Sequence, residues 1–258
     1  LIVIEDCAHS LGATVEGKKV GTFGDAAFFS FGRDKVISSV FGGIATINSN
    51  AKFLTSNDKL NPKEKLNEIQ NELSFPTYIW IVQQLLYPIL FAIILPLYNF
   101  FSLGKVLLVL FQKMKLLSFP VYPEEKFGRI PGVFPKNYPN ALAILILNQL
   151  KKLERYNEKR VAIAKQYGNV IPGAIYLRYP LLVADPNRLI KSAKENSILL
   201  GNWYHNVIDP DGCQLSEVGY KKRMCPKAEE IASRIVNLPT HPRLSKKDVQ
   251  IVRYILNE

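Results

Sequence analysis

The sequence predicts an α/β fold interrupted by an apolar helical insert, on three observations. Short apolar runs alternate with Gly-rich turns as far as about residue 50, the signature of strands in an α/β sheet. Residues Leu73 to Gly104 then form a stretch of 32 without a charge. After Pro139, apolar residues return at helical spacing. With 258 residues, 48% hydrophobic and 21% charged, the chain can bury a core, which excludes disordered and collagen-like classes.

The elements follow in order. Leu1-Ile-Val-Ile4 reads as a buried strand with β-branched residues on both faces, needing neighbours on both sides. Because the chain opens on Leu and on such a strand, we expect it to be N-terminally incomplete. Asp25 to Phe31 and Gly43 to Ile47 are the next strands, and Asn50 to Glu72, Lys-rich and broken at Asn61-Pro62, is a solvated connector or helix. The uncharged block exceeds the ~20 residues of a bilayer span, but Pro88 and Pro96 interrupt it, and Leu103 to Leu117 follows as an apolar helix with Lys105, Lys113 and Lys115. That pattern predicts a bent segment entering and leaving one face of a membrane.

A long helix is expected from Ala141 through Tyr167, packed lengthwise on a sheet. Beyond it lie strand candidates at Ile175 to Tyr179 and Ser197 to Leu200, a helix from Ala228 to Val236, and a last helix from Lys246 to Leu256 capped by Ser245. The expected partition is 1–60 for part of a large α/β domain, 61–130 for the apolar insert, and 131–258 for the linking helix and a small α+β domain.

Net charge +11 leaves nucleic acid, phosphorylated small molecules and acidic membranes open as partners. Cys7, Cys213 and Cys225 are too few for a disulfide framework and lack zinc spacing, so a reducing compartment and no metal are expected, and the thiols read as small buried groups.

The chemistry concentrates in the first 43 residues. A strand ends in Glu5-Asp6, a second ends in Ser30-Phe31, and Lys35 follows that serine by five positions. Open α/β sheets present ligand contacts at the C-terminal ends of their strands. Taken singly, Asp6 is a cap, Ser30 a strand-end hydroxyl and Lys35 a solvated amine. Together they are the set an aldehyde cofactor such as pyridoxal 5'-phosphate requires: an amine for a Schiff base, a carboxylate for the ring nitrogen and a hydroxyl for the phosphate.

At these positions the chain resembles the DegT/DnrJ/EryC1/StrS aminotransferase family. The matching text is Val3-Ile-Glu-Asp-Cys-Ala-His-Ser-Leu-Gly-Ala13, Gly21-Thr-Phe-Gly-Asp25, Ser30-Phe31 with Lys35, and Gly42-Gly43, continued by Gln149 to Glu154 with Arg160 and by Cys225-Pro226 with Leu238-Pro239. The resemblance implies a fold-type I transferase that is dimeric and aminates a keto-sugar carried on a nucleotide, with glutamate as donor, for surface polysaccharide or glycoconjugate synthesis. By position it implies Lys35 as the catalytic amine that binds pyridoxal 5'-phosphate, with Asp6 at the ring nitrogen, Ala8 and His9 beside the ring, and Ser30 at the phosphate. His9 reads equally as a core histidine. Family dehydratases carry histidine in place of the lysine, so Lys35 argues for amination. The competing reading is a non-catalytic or truncated relative that binds membrane or a partner protein.

The expected location is the cytoplasm, on the inner face of the cell membrane, with residues 73–117 on the lipid surface and no nucleic-acid partner. His241, between Pro239 and Pro242, reads as a turn residue, and Trp203-Tyr-His205 as packing of the small domain rather than pocket lining.

Overall fold

The computed structural model describes residues 1–48, 51, 62–98 and 103–256. The breaker Asn61, most of the connector before it, and residues 99–102 of the uncharged block lie outside them. In chain order the elements are β1 (Ile4–Asp6), β2 (Thr14–Val15), β3 (Lys18–Lys19), β4 (Ala26–Ser30), β5 (Gly43–Ile47), α1 (Pro62–Glu72), α2 (Tyr78–Leu97), α3 (Leu103–Lys113), a 3₁₀ turn (Pro123–Phe127), α4 (Asn140–Leu150), α5 (Leu153–Tyr167), β6 (Arg178–Leu182), α6 (Pro186–Glu195), α7 (Pro226–Arg234), β7 (Ile235–Pro239) and α8 (Lys246–Leu256). They form two compact units. One comprises residues 1–11, 18–120 and 132–153, the other 12–17, 121–131 and 154–258.

In the first unit β4 is the centre of a three-stranded sheet. β1 runs parallel to it with Asp6 opposite Phe28, and β5 runs antiparallel with Gly43 opposite Ser30. The parallel pairing brings the ends of β1 and β4, where Asp6 and Ser30 stand, to the same edge. Phe31, Ile37 and Ile146 form a buried cluster with Leu11, Tyr138 and Leu153 around it, so α4 packs on the segment that follows β4. Burial of each such side chain is worth roughly 1.5–3 kcal/mol.

The N-terminal strand departs from expectation. It begins at Ile4, and Leu1, Ile2, Val3 and Ile4 are exposed rather than buried, because among the described residues β1 has one strand neighbour, β4. Its register is held by polar contacts instead. The Val3 N–H donates to Asp25 Oδ2 at 2.8 Å, and the Asp25 N–H donates to the Val3 carbonyl at 2.8 Å.

α1 takes up the last part of the Lys-rich segment, Pro62–Glu72. α2 starts at Thr77, whose hydroxyl accepts the Trp80 N–H at 3.3 Å. It runs as one helix through Pro88 and Pro96 rather than turning back at them. α3 crosses against its end where Gly104 sits: a Cβ there would lie 2.5 Å from the Ile94 carbonyl oxygen, so only glycine permits that approach.

The second unit is built on the antiparallel pair β6–β7, in register from Arg178 opposite Pro239 to Leu182 opposite Ile235. Ala193, Ile198, Val236, Leu238, Val252 and Ile255 form its core. Asp185 accepts the Arg188 N–H at 3.0 Å and Pro186 opens the first turn of α6. At α8, Ser245 and Asp248 exchange the bonds of a capping box, the Asp248 N–H to Ser245 Oγ at 3.1 Å and the Ser245 N–H to Asp248 Oδ2 at 2.8 Å.

Four further expectations are corrected. The long helix is two, broken at residues 151–152 between α4 and α5. The strand expected at Ile175 begins at Arg178, because it pairs with β7 in the register of Leu238 and Val236. Ser197 to Leu200 is not a strand, although Gly201 makes one bridge to Asn237. Ile235 and Val236 leave helix α7 for β7, where both are buried, so pairing with β6 outweighs the helical spacing.

Candidate active site

The sheet edge at the ends of β1 and β4 gathers the predicted residues. Asp6 ends β1 exposed, and its Oδ1 accepts the Ala8 N–H at 3.0 Å. Ser30 ends β4, and its Oγ accepts the Gly32 N–H at 3.4 Å. From the loop after β4, Lys35 Nζ reaches His9 Nε2 in the loop after β1 at 2.7 Å. His9 is half-buried and faces the lysine, which separates it from an ordinary core histidine.

Glu5 is the residue the sequence reading left without a role. Its carboxylate accepts three backbone N–H groups, from Gly21 at 2.8 Å, Phe23 at 2.6 Å and Gly24 at 2.8 Å. Burial pushes its carboxyl up, but those three donors outweigh it and hold the group below its ordinary value. The Gly21-Thr-Phe-Gly motif is thus a loop that presents amides to a strand carboxylate. Cys7 behind it is buried, and burial raises its thiol. Cys225, by contrast, is exposed, so the expectation of buried thiols fails there.

The loop from Phe31 to Gly43 is fixed from the outside. Tyr138 OH bonds Ser39 Oγ, and Ser39 Oγ also donates to the Phe41 carbonyl at 2.9 Å. Gly42 has φ of 115°, and a Cβ there would lie 2.1 Å from the Tyr138 ring, so both the backbone and the approach of Tyr138 call for glycine.

The insert supplies a second hold. Arg33 Nη2 donates to Ser118 Oγ, whose hydroxyl donates to Gln84 Oε1 at 2.8 Å, and Gln84 Nε2 donates to the Trp80 carbonyl at 2.9 Å. The Arg33 guanidinium lies 4.1 Å from the Tyr87 ring centroid and 5.4 Å from that of Phe41. No motif announces this contact, because its partners stand 85 positions apart.

In the second unit, His205 lines a cleft of about 400 Å³ with Asn206, Ile208, Asp211, Tyr220 and Glu229. Trp203 and Tyr204 are 37% and 50% exposed, so this segment is not core packing. Arg178 lies 4.0 Å from the centroid of the Trp203 ring and covers it. Hydrogen bonds from Asn206 and His205 hold Asp211 below the usual carboxylate range. His241 is a turn residue as expected. Its Nδ1 accepts the Arg243 N–H at 3.2 Å, and burial, with Arg160 and Arg243 nearby, lowers its pKa.

The model of the DegT/DnrJ/EryC1/StrS aminotransferase family matches residues 1–55 and 134–257. The chain belongs to that family. The matched residues include every position of the sheet edge and omit α1, α2 and α3. An uncharacterized protein of Methanocaldococcus jannaschii is 25% identical over 96% of this chain and 57% of its own. GDP-perosamine synthase of Vibrio cholerae is 55% identical over 49 residues, which cover 19% of this chain and 13% of that enzyme. Among solved structures, a DegT DnrJ EryC1 StrS aminotransferase from Brucella abortus superposes with a TM-score of 0.63 at 19% identity, over 100% of this chain and 57% of that one. The fold is therefore that of the fold-type I sugar aminotransferases. The chain spans a little over half the length of the full-coverage relatives it matches.

Proposed function

We propose that this family member is a pyridoxal 5'-phosphate-dependent aminotransferase acting on a keto-sugar carried on a nucleotide. The observation that carries the reading is the approach of Lys35 Nζ to His9 Nε2 on the edge that also holds Asp6 and Ser30. The residues fit the cofactor. Asp6 accepts the Ala8 N–H with one carboxylate oxygen and is exposed, so its other oxygen can face a ring nitrogen. A Cβ at Gly32 would stand 3.6 Å from both Ser30 Oγ and Lys35 Cγ, so the absent side chain leaves room between hydroxyl and amine.

When bound, the cofactor supplies an electron sink for the bond broken at the substrate carbon. Lys35 would hold the cofactor through its amine and move the proton at the substrate carbon, with His9 orienting that amine. Asp6 would face the ring nitrogen and favour its protonated form, Ser30 would donate to the phosphate, and Ala8 with His9 would line the ring. The relatives named GDP-perosamine synthase support a nucleotide-sugar substrate. We assign glutamate as amino donor, a homodimer as the working form, and a role in surface polysaccharide or glycoconjugate synthesis. We place the protein in the cytoplasm, on the inner face of the cell membrane.

Borohydride reduction in the presence of pyridoxal phosphate, followed by peptide mapping, tests the assignment. The label should fall on Lys35 and vanish in Lys35→Ala. A label that persists unchanged in that variant overturns the role of Lys35.

A further inference from the structure

α2 keeps a broad apolar side in water. Its inward side holds Ile94 and the amide of Gln84, both fully buried, while Ile79, Val82, Ile89 and Ile93, at helical spacing on the other side, are 75%, 51%, 59% and 49% exposed. A helix on a soluble protein turns such residues inward and its amides outward, and a contiguous apolar face of this size marks an interaction surface. α3 adds exposed Val106, Val109 and Leu110 to the same pair of packed helices. The family model passes over this region altogether.

We infer that the outer face of α2 and α3 binds an anionic lipid bilayer, with α2 lying in the interface. Charge chooses this occupant. Between Glu72 and Glu124 the chain has no acidic residue, and its ionised side chains are Lys105, Lys113 and Lys115, all exposed on or just after α3. An apolar helix rimmed only by lysines matches acyl chains bordered by phosphate headgroups. The 20 residues of α2 could reach about 30 Å, enough to cross a bilayer. Crossing is opposed by the polar contact of Gln84 and Ser118 with Arg33, which ties one side of the helix to the protein along its middle. This inference extends the localisation proposed above and does not depend on the reaction catalysed.

Flotation of the purified full chain with phosphatidylcholine vesicles, with and without phosphatidylglycerol, tests it, alongside sedimentation without lipid. The protein should float with the phosphatidylglycerol vesicles. Replacing Lys105, Lys113 and Lys115 together by Gln should lower that binding by about tenfold or more. Ile89→Asp with Ile93→Asp should abolish it, with an unchanged far-ultraviolet circular dichroism spectrum. Equal binding by the aspartate variant would overturn the inference. So would a lipid-free oligomer, indifferent to vesicles, that the same two substitutions dissociate, because the face would then be an interface between copies of this chain.

Discussion

At the scale of single residues, the sheet edge separates side chains that would do chemistry from side chains that hold shape. Asp6→Asn should leave folding intact and lower turnover by several orders of magnitude, because the ring nitrogen loses its charge partner. Steady-state kinetics with cofactor titration checks this, and near-normal turnover would remove the electron-sink argument. Glu5 belongs to the second kind. Its folded pKa lies below the ordinary 4.5, so its contribution to stability is present above that value and is lost as pH falls through the folded pKa. Glu5→Gln should therefore cost about 1 kcal/mol near neutral pH and flatten the acid limb of a stability curve measured by urea unfolding. The sequence singles out Asp6, Ser30 and Lys35 because an aldehyde cofactor needs those residue types, and the structure puts Asp6 and Ser30 at the ends of paired strands with Lys35 on the loop that follows. The roles of Glu5 and Tyr138 were not, since each depends on which backbone comes near, and spacing does not encode that.

At the scale of elements, legibility followed how local the cause was. β5 and α8 match their predicted bounds because alternation in one and a Ser245–Asp248 cap in the other are written within a few residues. α6 has an equally local signal, Asp185 before Pro186. The start of β7 at Ile235 depends on tertiary pairing with β6. Two outcomes are expected. Asp185→Ala should lower stability by about 1 kcal/mol through the loss of its cap. Gly42→Ala should cost roughly 2 kcal/mol or more, since it meets the Tyr138 ring and a positive φ together. Chemical denaturation of both variants measures the difference.

At the scale of the molecule, the α2–α3 region, which the family model passes over, leaves and rejoins the rest of the chain at one point: the Asn137 N–H donates to the Ser74 carbonyl at 2.9 Å and Lys136 Nζ donates to Ser74 Oγ at 2.7 Å. Replacing residues 75–135 by a short Gly-Ser turn closes a gap the protein already closes, at little entropy cost, and also removes residues 121–131 of the second unit. The truncated protein should keep the β1–β4–β5 sheet yet expose Phe41 and strip Ser118 from Arg33, detectable as faster proteolysis between Phe31 and Gly43. The same appendage that would moor the protein also forms the outer wall of its lysine loop, so a lineage that gained it cannot discard it and keep that loop unchanged.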